Sequence, residues 1–91
     1  MSKIIQIATL KIDNEHVEFD YGNIVVTENN GFKRWEVELI GVNKVVSMNG
    51  NRQLEMLSMN GKPFSGEAFV SNSNIMQSDI TLTGTGVLIG Y

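Results

Sequence analysis

Apolar and polar residues alternate along most of this chain with a period of two, the signature of half-buried β-strands. Residues 3–12 form the first such run, with Ala8, Leu10 and Ile12 on one face. Residues 16–21 alternate cleanly, with Val17, Phe19 and Tyr21 on one side and His16, Glu18 and Asp20 on the other. Gly22-Asn23 is expected to break or bulge that strand, and the β-branched stretch 24–27 resumes it. Residues 33–40 place Trp35, Val37 and Leu39 inward against Arg34, Glu36 and Glu38 outward. Further strands are expected over 44–48, 53–59, 64–71 and 79–89, the last interrupted by Gly84 and Gly86. No segment carries a helical period, and residues 74–78 have room for one short turn.

Turn chemistry sharpens this picture. Asn30-Gly31, Asn49-Gly50 and Asn60-Gly61 each lie between extended runs. A type I′ turn needs positive φ at both central residues. Asn tolerates that region and Gly meets no steric penalty there, so each pair predicts a tight hairpin. Asp13-Asn14-Glu15 reads as a further polar turn. The predicted fold is all-β: one domain over residues 1–91, an antiparallel meander of about seven short strands closing as a sandwich or a barrel.

Composition bounds the function. Ninety-one residues accommodate one domain, and 42% apolar residues suffice for a modest core. There is no Cys, which removes disulfides and thiolate metal sites and fits a reducing compartment. The start of the chain lacks the pattern of a signal peptide, and no run approaches a membrane span. These features predict a protein that resides in the cytoplasm of the cell that makes it. The formal charge of −3, with both signs interspersed, repels a phosphate backbone and argues against nucleic-acid binding.

Candidate chemistry is sparse. His16, Glu18 and Asp20, near Asp13, would share a strand face, and imidazole with carboxylates could bind a divalent ion. A solvated strand face explains the same alternation. Residues 84–90 contain a glycine pattern, but no helix follows to present free N–H groups to a phosphate. Phe19, Tyr21, Phe32, Trp35, Phe64 and Phe69 read mainly as core. No nucleophile–base set is visible, so neither an enzyme activity nor a cofactor is expected. Met48, Met56, Met59 and Met76 suit either an irregular core or an adaptable binding surface. A meander also has edges that invite partners.

The C-terminal third carries a longer pattern: Gly66-Glu67-Ala68-Phe69-Val70-Ser71, a loop, then Ile80-Thr81-Leu82-Thr83-Gly84-Thr85-Gly86-Val87-Leu88. It resembles the closing segment of tail tube and related tail proteins of long-tailed bacteriophages. Their usual form is a Gly-x-Ala-x-Ile/Val-Ser strand, then an alternating strand ending in Gly-Thr-Gly-x-Leu. The match covers about a third of the chain, which is shorter than typical tube proteins and has no counterpart of the long tube-lining hairpins. The resemblance implies a sandwich or barrel subunit that joins rings through sheet contacts. On that reading the chain is a phage or prophage structural protein, homo-oligomeric, found in the producing cell or in the virion. Its subunit contact would be formed by Gly66, Ala68, Val70, Ile80, Leu82, Gly84, Gly86 and Leu88. The alternative, second to that reading, is a small phage-encoded inhibitor or binding module acting on a host protein, which small size, acidity, edge strands and absent catalytic groups permit.

Overall fold

The computed structural model describes residues 2–42, 50–74 and 78–91. Its seven strands are β1 (Ser2–Ile12), β2 (Glu15–Val17), β3 (Tyr21–Asn29), β4 (Phe32–Ile40), β5 (Arg52–Ser58), β6 (Pro63–Asn74) and β7 (Asp79–Gly84). The described residues contain no helix, hence none long and apolar enough to cross a membrane. The expected strand 44–48, Met48, Met76 and the centre of the 74–78 turn lie outside the described residues.

All pairings are antiparallel, and the order β1-β3-β4-β7-β6-β5 closes on itself because β5 also pairs with β1. The fold is therefore a six-strand barrel, with β2 outside the ring on the C-terminal end of β1. The meander runs within each half of the chain. Between the halves it is interrupted: β5 does not lie beside β4 but between β6 and β1. The first strands of the two halves, β1 and β5, pair with each other, and so do the last strands, β4 and β7. Closure consumes the edges of the ring, which natural β-proteins otherwise have to protect.

Side chains fill the interior. Ile24, Val37, Leu82 and Val70 stand opposite one another across β3, β4, β7 and β6. Leu10, Met56 and Phe64 make a second row across β1, β5 and β6. All seven are buried. Each contributes on the order of 1.5–3 kcal/mol by leaving water. Trp35, Val37 and Leu39 face inward as the alternation of β4 predicts.

Several local expectations are corrected. A register shift between Ile7 and Thr9 changes the phase of β1, so Ile7 joins Leu10 and Ile12 inside while Ala8 is exposed. The strand expected over 16–21 stops at Val17, and the break falls at Glu18, Phe19 and Asp20, not at Gly22-Asn23. Gly22 lies within β3 and is buried; an added Cβ would come within 2.8–2.9 Å of Phe19, Ile7 and Leu39. Of the expected core aromatics, Trp35 and Phe64 are buried and Phe19 is half-buried, but Tyr21, Phe32 and Phe69 are exposed. Of the methionines, Met56 is core and Met59 is surface.

The turns also differ in kind. Asn30 (φ 52°) and Gly31 (φ 83°) form the expected type I′ pair between Asn29 and Phe32. Asp13 (φ 50°) and Asn14 (φ 67°) form a second, without glycine, between Ile12 and Glu15. At Asn60-Gly61 only Gly61 is left-handed. There the Ser58 N–H donates to Lys62 O and the Gly61 N–H to Ser58 O, closing a three-residue loop. The buried Ser58 hydroxyl donates to Asn60 Oδ1 and accepts from the Lys62 N–H at 2.9 Å. Asn49 lies outside the described residues.

Two glycines are explained by one side chain. The Trp35 indole lies flat against Gly84, where an added Cβ would fall inside the ring's van der Waals surface. It also borders Gly66, where a Cβ would sit 2.7 Å from Cζ2. Substituting Gly84→Ala should therefore cost about 1–3 kcal/mol through overpacking. Gly86→Ala, with nothing within 4 Å of the added carbon, should be nearly neutral. Urea denaturation of the two variants measures the contrast.

Candidate docking surface at the open end of the barrel

One end of the barrel is where the β3–β4 and β5–β6 hairpins turn and where β1 begins. Trp35 marks its rim. Lys3 pairs with Val26 and Val26 with Trp35, so these three share one face of neighbouring strands. The indole N–H donates to Gly86 O at 2.8 Å. Where the indole lies over Gly84, β7 ends, and the β4–β7 ladder stops at the pair Glu36 and Thr83. The chain beyond Gly84 then follows β6 alone. Thr85 N–H donates to Glu67 O at 2.9 Å, and Ser65 and Ile89 exchange N–H to C=O bonds of 3.0 and 2.7 Å.

This divergence opens a groove of about 440 Å³ between β4 and the C-terminal segment, lined among others by Lys33, Arg34, Trp35, Thr85, Val87 and Tyr91. A second groove of about 320 Å³ lies on the far side of Tyr91, against Lys3, Ile4, Met59, Lys62 and Phe64. Tyr91 borders both. The ammonium groups of Lys3 and Lys33 stand 5.7 and 5.3 Å from its ring centroid, and that of Lys62 stands 5.4 Å from the Phe64 ring. At these distances the ring quadrupole attracts the cations.

Exposed apolar surface gathers here too: Val87 is 80% exposed, Ile4 67% and Met59 63%. A soluble surface tolerates scattered apolar residues, but grouped ones mark contact sites. The charge is equally uneven. Although the chain is acidic overall, four of its seven basic residues, Lys3, Lys33, Arg34 and Lys62, line these two grooves. Among the lining residues Glu36 is the single acid. Glu28 approaches Lys33 at 3.9 Å, an exposed pair of small energetic weight.

The other candidate sites fare differently. His16 is exposed on β2 opposite Lys11, whereas Glu18 and Asp20 lie in the break that follows. The expected common face required a strand through residue 21, and it stops at Val17. Among the described residues, no group of three His, Asp or Glu side chains is arranged to hold a metal ion. Asp20 instead donates its N–H to Ile40 O at 2.9 Å, with its carboxyl against Gly41. The residues expected at a subunit contact are placed mostly inward within the single chain. Gly66, Ala68, Val70, Ile80, Leu82 and Leu88 are buried in the barrel interior, and Gly84 is half-buried beneath Trp35; Gly86 is exposed. Their alternation is that of a core face, and both edges of β6 and β7 are already paired within the barrel.

Sequence reasoning did not single out Lys3, Lys33, Arg34, Lys62 or Tyr91. One signal was available. Lys33 lies in phase with Trp35, Val37 and Leu39, and a lysine on an inward row marks the point where a strand leaves the core. Comparison with known protein families, curated proteins and solved structures returns no match.

At the opposite end, Asp13 ties β1 to β5. Its carboxylate accepts from the Arg52 guanidinium at 2.8 Å and from the Gln53 N–H at 2.9 Å, while its own N–H donates to Gln53 O at 2.8 Å. The Arg52 hydrogen bond, followed by that from Gln53, holds the Asp13 carboxyl below its ordinary 3.8. A depressed folded-state pKa stabilises the fold above the unfolded value and ceases to do so as pH falls through the folded one. Urea midpoints should therefore separate wild type from Asp13→Asn at neutral pH. The difference should shrink as pH drops below 3.8.

Proposed function

We propose that this chain is a non-catalytic docking module that binds a partner protein through the open end of its barrel. The observation that carries the reading is the coincidence of three features around Tyr91: two adjoining grooves, exposed apolar side chains and concentrated positive charge. Protein contact sites combine apolar and aromatic anchors with a charged rim in this way, and Arg and Tyr are enriched among the residues that dominate binding. The groove linings supply cations, rings and backbone groups, without a paired acid and base of the kind general acid–base catalysis uses.

A phage or prophage setting, as structural subunit or as inhibitor of a host protein, rests on the C-terminal sequence pattern. In that setting the docking idea is kept, but the contact moves from the β6 and β7 strand faces to the barrel end. Assembly into rings of identical subunits would use the same end against another surface of the next copy, which makes light scattering on the purified chain a direct discriminator. The module would act in the cytoplasm of the producing cell or on the virion.

Val87→Glu and Tyr91→Ala should each abolish capture of a stoichiometric partner from the producing cell's lysate. His16→Ala, at the other end of the barrel, should leave it intact. All three substitutions fall at surface positions and should change unfolding free energy by no more than about 0.5 kcal/mol. Capture that survives both open-end substitutions overturns the reading.

A further inference from the structure

The β3–β4 hairpin determines which way the start of β4 presents its backbone. Asn29 and Phe32 close a two-residue loop. In an antiparallel ladder, residues that exchange hydrogen bonds with the neighbouring strand alternate with residues that point their N–H and C=O away. With Phe32 and Arg34 directed to β3, Lys33 and Trp35 direct theirs outward. On that outer side the β7 ladder begins at the pair Glu36 and Thr83, whose bracketing hydrogen bonds use the Trp35 C=O, so the N–H and C=O of Lys33 and the N–H of Trp35 are the outward groups left beyond the ladder. The groove beside them is the one lined by Trp35 and Val87. The otherwise closed barrel thus exposes a short strand edge next to an apolar, cationic groove.

We infer that this edge takes an extended, acidic segment of the partner as an added strand; the inference rests on the docking reading above and specifies its occupant. Strand addition supplies main-chain hydrogen bonds for affinity and uses alternate side chains for specificity. The side chains beside the edge define those requirements. Lys33 and Arg34 are adjacent and so lie on opposite faces of β4, and both line the groove region. An incoming strand therefore meets a cation on each face, where acidic residues opposite them are favoured and basic ones disfavoured. Next to Lys33 on the groove face comes Trp35, which suits an apolar side chain. Lys3, held over the Tyr91 ring together with Lys33, adds positive charge at the same end. The segment that fits is an extended run with consecutive acidic residues beside an apolar one.

The same charges disfavour a second copy paired two-fold at this edge. A two-fold contact sets the same patch against itself, bringing Lys33 and Arg34 of one copy toward those of the other.

Because Trp35 is the only tryptophan, its fluorescence reports directly on the groove. Three labelled octapeptides test the inference on the intact chain: one with Asp-Glu between valines, one with Lys-Lys in those positions, and the acidic peptide with alternate backbone amides N-methylated. Anisotropy and Trp35 emission are followed at low and high salt. The acidic peptide should bind at least about tenfold more tightly than the basic one, weaken with added salt, and lose about tenfold on N-methylation. Lys33→Gln and Arg34→Gln should each weaken it, with thermal midpoints recorded as the folding control. Equal binding of acidic and basic peptides, indifference to N-methylation, or no binding of any peptide overturns the inference. If lysate capture still depends on Val87 and Tyr91 in that case, the docking reading stands and only the strand-addition mode falls. If capture is indifferent to those residues, the docking reading itself fails.

Discussion

The seating of the Trp35 indole is the constraint on which the rest of this structure depends. A six-strand barrel has a narrow interior that side chains must fill. At the open end the largest of them occupies a position where two neighbouring strands must approach without side chains of their own. Gly84 and Gly66 provide that room, and Gly86 provides the acceptor for the indole N–H. With its polar atom satisfied, the ring can be buried without an unpaired donor. The same bulk ends the β4–β7 ladder and goes with the turn of the C-terminal segment onto β6. One packing choice thus fills the core and opens the groove.

Closure explains why contact surface concentrates at an end. Inside the ring, each of β3, β4, β5, β6 and β7 has a neighbour on both sides, and β1 is shared among β2, β3 and β5. The strand faces are divided between a packed interior and an outer wall. What stays available is where ladders run out: hairpin tips, the first residues of β4, and the side chains around Tyr91.

Much of this fold was legible in the sequence, and the failures have specific causes. Trp35, Val37 and Leu39 could be placed inside because strict alternation on an unbroken strand has only two phases, and burial selects one. The phase of β1 could not be read because the bulge between Ile7 and Thr9 leaves no residue-type mark in an apolar stretch. The run from Val17 to Tyr21 alternates as a strand would, yet the strand ends at Val17 and Tyr21 stands in solvent. There the tertiary course of the chain overrode local pattern. Gly84 and Gly86 both read as a bulge, a bend or a place of close approach. Gly84 is a close approach and Gly86 is open, and Gly66, which carried no such mark, shares the same neighbour, because the approaching side chain is information carried at position 35, far away in the sequence. The grooves were hidden for a related reason. Lys3, Lys33, Lys62 and Tyr91 come from four separated segments, and only the closure of β1 onto β5 brings them to one rim. Asp13-Asn14 shows the limit of turn rules, since a left-handed pair can form without glycine when two Asx residues occupy it.

The way the two halves join has a consequence for how the chain acquires its structure. Four hairpins, β1–β2, β3–β4, β5–β6 and β6–β7, connect residues close in sequence and can form on the microsecond scale of isolated hairpins. The β1–β5 and β4–β7 ladders, and the indole bond spanning 51 residues, require the ends of long loops to meet first. Loop-closure entropy makes such pairings slow relative to local ones. By this topology the zipping of one half onto the other is expected to limit the folding rate, and the seam beside Trp35, with its four-pair ladder, is where local opening is expected first.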